Sequence, residues 1–370
     1  LMPTARSLRN IALAASLFAA IAAPAEARLP SPVVRAIEQR AGGGDFNGVV
    51  LVAENGRVQY ARAFGLAERR FGAPMQTDTR LAIASVTKLF TSALILQLVD
   101  QGRLELDAPF GRYLPDYPGG GADRVTVRML LNHTSGLAQF DTVGSHEEAF
   151  TNGMRNYQRP LTPGALIQAC CTTPLAAEPG VAFDYNNADY FVLGRIIETL
   201  TGQSYEEALR QRILAPLDLR DTGMQHWDAI TPRLASSYFH RDDTETLVAD
   251  MPVYWENWFS AGGMYATAND LARFADALFG ARIVSEGSLR ELLAPALDEY
   301  GLGLWSYSFE RGGRTWRVAK RPGSIMGANA VLYRLLDGDT TIVLLANTNR
   351  TDLDIFAQRT AEALIDAGVP

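Results

Sequence analysis

The chain has 370 residues and a formal net charge of −7. A hydrophobic fraction of 47% with 20% charged residues supports a sizeable core and excludes a mainly disordered chain. The length corresponds to about two domains at roughly 150 residues each, and an acidic chain without a basic stripe makes a nucleic-acid partner unexpected.

At the N-terminus, Arg6 and Arg9 precede an apolar run from Ile11 to Ala23. Ala25-Glu26-Ala27 fits the small-x-small rule for cleavage before Arg28, so residues 1–27 read as a signal peptide and the product as periplasmic or secreted. The apolar run is too short to cross about 30 Å of hydrocarbon, so no membrane span is expected. Pro32 to Arg40 follows as a short amphipathic helix closed by Gly42-Gly43-Gly44. Asn47 to Ala53 is a strand, Glu54-Asn55-Gly56 a hairpin turn, and Arg57 to Gly65 the returning strand. Ser85 to Gln101 has the clearest helical period, stopped by Gly102.

The middle of the chain is loop-rich, with helical pieces at Arg124–Leu131 and Tyr190–Leu200. Pro118 to Gly121 and Pro179-Gly180 break it. A helix is expected again at Asn269–Phe279. The period then changes to strands at Gly303–Phe309, Arg314–Ala319, Ala328–Leu335 and Thr340–Ala346, and a last helix spans Asp352–Ala367. This order predicts an α/β (α+β) fold: an antiparallel sheet flanked by helices, built from both chain ends, with a mainly helical domain inserted. The expected boundaries are 28–105 plus 265–370 for the sheet domain and 106–264 for the helical one.

Little in the sequence points to a metal, a cofactor or a disulfide framework. The four histidines are scattered, and neither HExxH nor CxxC spacing occurs. The only cysteines, Cys170 and Cys171, are adjacent and can bridge only through an eight-membered ring. A composition bias is more informative: of 34 basic residues, only Lys88 and Lys320 are lysines. An amine that can lose its proton is something arginine cannot replace.

Ser85 and Lys88 stand three apart at the start of the strongest helix, hence on one face. A helix N-terminus offers free N–H groups to an oxyanion, and a neighbouring amine can deprotonate a serine. Alone the pair is weak, since 16 serines and two lysines give this spacing by chance in roughly 9% of such sequences. An N-cap serine beside a surface lysine explains it equally well. No GxSxG elbow is present. His133, within Asn132-His133-Thr134-Ser135-Gly136, is read as a loop histidine satisfying turn backbone groups rather than as a triad member.

Four segments in order make the pattern specific. They are Ile83-Ala84-Ser85-Val86-Thr87-Lys88, Leu131 to Leu137, Tyr185-Asn186-Asn187, and Ser260-Ala261-Gly262-Gly263-Met264 followed by Asn269-Asp270-Leu271. Together they resemble the serine β-lactamase and penicillin-binding protein superfamily, in its class C β-lactamase, DD-carboxypeptidase and family VIII esterase branch. The resemblance implies an acyl-enzyme at Ser85, with Lys88 and Tyr185 sharing the general-base task and Asn187 binding Lys88 and substrate. Its third motif, K-T-G or H-x-G in relatives, corresponds here to Arg321-Pro322-Gly323-Ser324. Arg321 keeps a cation able to hold a carboxylate, and the N–H of Ser324 joins that of Ser85 as the oxyanion hole. Lys320, one residue away, belongs on the opposite strand face. The expected partner is a small-molecule or peptide substrate with an amide, lactam or ester carbonyl, and no metal or cofactor is required. The alternative is a non-hydrolytic penicillin-binding or sensor protein on the same fold. Tyr254, Trp255, Trp258 and Phe259 are read either as pocket lining or as core of the helical domain.

Overall fold

Alternation of apolar residues in the strands sets the architecture. The structure, a computed structural model, describes residues 29–140 and 145–369, and the expected signal peptide lies outside them. Six strands form one antiparallel sheet: β1 (Gly48–Glu54), β2 (Arg57–Phe64), β3 (Trp305–Arg311), β4 (Arg314–Ile325), β5 (Ala328–Leu335) and β6 (Thr340–Ala346). Their spatial order is β3-β4-β5-β6-β1-β2, so the first hairpin joins the last strands and both chain ends build the sheet. Val49 and Leu51 of β1 face one apolar layer with Val343 and Leu345 of β6. Val50 and Val52 face a second layer with Ile342 and Leu344. A sheet apolar on both faces must be covered on both.

Helices α1 (Ser31–Ala41) and α7 (Leu353–Asp366) cover the second face. The first face carries α2 (Thr87–Asp100) and α6 (Ala268–Phe279). Beyond them lie α3 (Val127–Leu131), α4 (Pro163–Cys170) and α5 (Asn187–Thr201) of the inserted, mainly helical part, with α5 packed on α2, α3 and α4. The helix expected from Arg124 begins only at Val127, because Thr126 caps it, accepting from Met129 N at 3.2 Å. Asn186 likewise starts α5 three residues early by accepting from Ala188 N at 2.9 Å. Cys170 and Cys171, at the end of α4, are bridged to each other. No described helix is long and apolar enough to cross a membrane.

One strand departs from expectation. The strand predicted to end at Ala319 runs on to Ile325. Pairing with β3 stops at Trp305 opposite Lys320, whereas pairing with β5 continues to Ile325. Residues 321–325 are therefore a free edge on the β3 side, and an edge is where a strand tolerates Pro322 without losing a ladder bond.

Candidate active site

Ser85 follows a sharp bend. Ala84 has φ of 46° between the short strand Leu81–Ala82 and α2. That left-handed conformation, uncommon for a residue with a Cβ, sets the serine at the head of the helix beside the free edge of β4. Gly323 is what lets the two approach. A Cβ built there would stand 2.5 Å from Ile83 O and 2.8 Å from Ser85 N.

Three elements converge on the Ser85 hydroxyl. Lys88 Nζ lies 3.2 Å from Ser85 Oγ, and Tyr185 Oη lies 2.8 Å from it. Lys88 is completely buried and donates also to Asn187 Oδ1 at 2.7 Å and to the Ala261 carbonyl at 2.9 Å. An ammonium has three protons, and here each faces an acceptor. Of these three partners only the Ser85 hydroxyl can also donate to the amine. The Ser260-Ala261-Gly262-Gly263 segment, which carried no assigned role in the sequence, supplies one of those acceptors.

Arg321 lies on the same side of β4 as Ser85, while Lys320 points to the other and pairs with Asp354 of α7 at 2.8 Å. The guanidinium is 1% exposed. Nε donates to the Ser85 carbonyl at 2.7 Å, Nη1 to Tyr300 Oη at 2.7 Å, and Nη2 to Tyr185 Oη at 2.6 Å. The cation expected to face a substrate carboxylate thus gives three of its five N–H donors to protein oxygens. Burial pushes the Tyr185 phenol up, but Arg321 and Lys88 on either side pull it further down, to about 8. Tyr300 shares Arg321 but lies among Tyr190, Tyr185 and Asp189, and burial holds its phenol well above 10. Of two tyrosines on one arginine, the one between two cations is the acid of lower pKa.

His133 does not reach Ser85. Its ring Nδ1 is 2.8 Å from Asp189 Oδ2, and Ser135 donates to the other Asp189 oxygen. Burial holds the His133 imidazole well below its ordinary value and the Asp189 carboxyl well above its own. His133 brackets Tyr185: its carbonyl accepts from Asp184 N at 2.8 Å, and Asn186 N points at its Nδ1 at 3.3 Å. Trp258 and Phe259 belong to the core, Trp258 stacked on Tyr157 and Phe259 packed on Tyr205.

A cleft of about 690 Å³ opens at Ser85. Tyr185, Arg321, Gly323 and the exposed Ser324 line it, as do Trp305 and residues 349–354. Tyr300, Trp305 and the 349–354 loop were not singled out from sequence. They stand in no motif, and only the β3–β4 register and the start of α7 bring them here.

A family model described as Beta-lactamase matches residues 33–367. Among curated proteins, the chain is 32% identical to esterase EstB of Burkholderia gladioli over 314 residues, 77% of this chain and 78% of that protein. It is 31% identical to penicillin-binding protein 4 of Amycolatopsis lactamdurans over 275 residues, 69% of this chain and 67% of that one. Among solved structures, D-amino acid amidase from Ochrobactrum anthropi SV3, complexed with L-phenylalanine amide, superposes with a TM-score of 0.77. That match has 25% identity and covers 91% of this chain and 99% of the other.

Proposed function

We propose that this chain, which belongs to the beta-lactamase family, is a serine hydrolase that opens an amide, lactam or ester carbonyl through an acyl-enzyme at Ser85. The observation that carries this reading is the placement of Ser85 Oγ 2.8 Å from Tyr185 Oη and 3.2 Å from Lys88 Nζ. As a phenolate, Tyr185 takes the Ser85 proton while Oγ attacks the carbonyl carbon. The carbonyl oxygen becomes an oxyanion facing the N–H groups of Ser85 and Ser324. The tetrahedral adduct collapses to the ester, and Tyr185 returns the proton to the departing amine or alkoxide. Water repeats the cycle and frees Ser85. Lys88 stays an ammonium that keeps Tyr185 ionisable, and Asn187 holds that ammonium in place. A positioned base contributes about 10²–10⁴ and one oxyanion donor about 10²–10³ in rate.

Relatives named as an esterase and a D-amino acid amidase support simple esters and amides as substrates. The N-terminal pattern alone supports export to the periplasm or beyond. The test is Ser85→Ala, assayed on a chromogenic short-chain ester and with a fluorescent penicillin. Loss of turnover and of covalent labelling is expected, and retention of both would refute the assignment.

A further inference from the structure

We propose that Arg321 makes this site selective for substrates with no carboxylate beside the scissile carbonyl, an inference that rests on the hydrolase reading above. Four charged side chains line the cleft at Ser85: Arg321, Arg350, Asp352 and Asp354. Neither cation among them is unengaged. Arg350 is paired with Asp45 at 2.7 Å. Arg321 gives Nε, Nη1 and Nη2 to Ser85, Tyr300 and Tyr185, and its guanidinium carbon lies 5.3, 6.0 and 5.7 Å from the ring centres of Tyr185, Tyr300 and Trp305. Turning it toward a ligand would take its charge from the base that attacks. Two carboxylates remain. Asp352 accepts from Ile355 N at the head of α7, and Asp354 faces Lys320.

A carboxylate entering this cleft loses its water and meets the like charge of Asp352, while Asp354 is already paired with Lys320. It gains no charge-assisted bond from the buried Arg321, a bond that elsewhere is worth about tenfold to a hundredfold in affinity. Neutral alcohol or amine leaving groups meet Trp305, Pro322, Val331 and Leu353, with Asn329 and the exposed Ser324 for hydrogen bonding. The arginine thus acts twice: its bond to Tyr185 Oη supports the base, and its burial removes the site's anion receptor.

The experiment compares two esters that differ only in charge, N-acetyl-D-alanine esterified to lactic acid or to lactamide. Wild-type kcat/KM should favour the lactamide ester by about tenfold or more. A ratio near one, or one favouring the acid, overturns the inference. Arg321→Lys provides a second readout. Its shorter amine cannot serve Ser85, Tyr300 and Tyr185 together, so the ratio should shrink and the alkaline rise of kcat/KM should move to higher pH. An unchanged ratio and profile in a folded Arg321→Lys protein also overturns it. Hydrolysis of both esters by Ser85→Ala would instead refute the serine reading beneath it.

Discussion

Replacing Gly323 with alanine would put a methyl carbon 2.5 Å from Ile83 O, 2.8 Å from Ser85 N and 3.0 Å from Val86 N. All three neighbours are backbone atoms of the turn that carries the nucleophile, so no side chain can swing aside. Carbon contacts settle near 3.5 Å, which requires β4 and the head of α2 to part by about 1 Å. Overpacking of this kind costs about 1–3 kcal/mol in stability. The effect on catalysis is larger. The N–H groups of Ser85 and Ser324 flank this contact, and an oxyanion donor works only within about 2.7–3.1 Å of the oxygen. Displacing one should lower kcat by about 10²–10³. The assay is ester turnover beside thermal melting and circular dichroism, so that a folded but slow enzyme is told apart from an unfolded one. A folded Gly323→Ala enzyme with kcat within about threefold of wild type would refute the placement of the oxyanion hole between β4 and α2.

Other outcomes follow from the same geometry. The base acts deprotonated, so kcat/KM should rise with pH through about 8, the value to which the two flanking cations bring Tyr185, and level off above it. A pH–rate profile rising at 6 instead would assign the base elsewhere. Tyr185→Phe should lower kcat by about 10²–10⁴, and it should also lower the melting temperature, because Nη2 of the buried Arg321 loses its acceptor. Lys88→Arg keeps the charge but forces a larger, planar head into a fully buried slot with three fixed acceptors. Ester turnover should fall by at least about 10². Burial raises the Asp250 carboxyl to about 6. A raised acid favours the folded state below its unfolded value near 4, and that contribution is lost as pH climbs through about 6. Asp250→Asn should therefore melt higher than wild type at pH 7 and lose that advantage at pH 4. The rise from 3.8 to about 6 caps the gain at about 3 kcal/mol.

Much of this fold and site is legible in the sequence. Periodicity found the hairpin, α2 and the last four strands because each sets apolar residues against the core at its own repeat, β3 only partly through Tyr307 and Phe309. The one-residue step from Lys320 to Arg321 was enough to put them on opposite faces, and they point to α7 and to Ser85 respectively. What failed was local detail decided by partners distant in sequence, although the pairing of both chain ends in one sheet was foreseen. Whether β4 continues past Ala319 depends on where β3 stops, which no local window contains. Tyr300 is anonymous in the chain, yet it holds one end of the guanidinium. The role expected of Arg321 rested on the charge it carries, but where that charge goes is settled by three acceptors from three separate segments. His133 likewise shows its purpose only once Asp184 and Asn186 are seen on either side of Tyr185.

The free edge of β4 has a consequence unrelated to catalysis. Unpaired strand edges are templates on which other chains pair and aggregate. This one is short, running only from Arg321 to Ile325 past the last β3 pair. Pro322 removes a donor from it, and the backbone at Ile83 and Ser85 lies so close to Gly323 that no second strand fits there. The opening through which a substrate reaches Ser85 is thus also guarded against self-association, and widening it by mutation carries a risk of turning an enzyme into a precipitate.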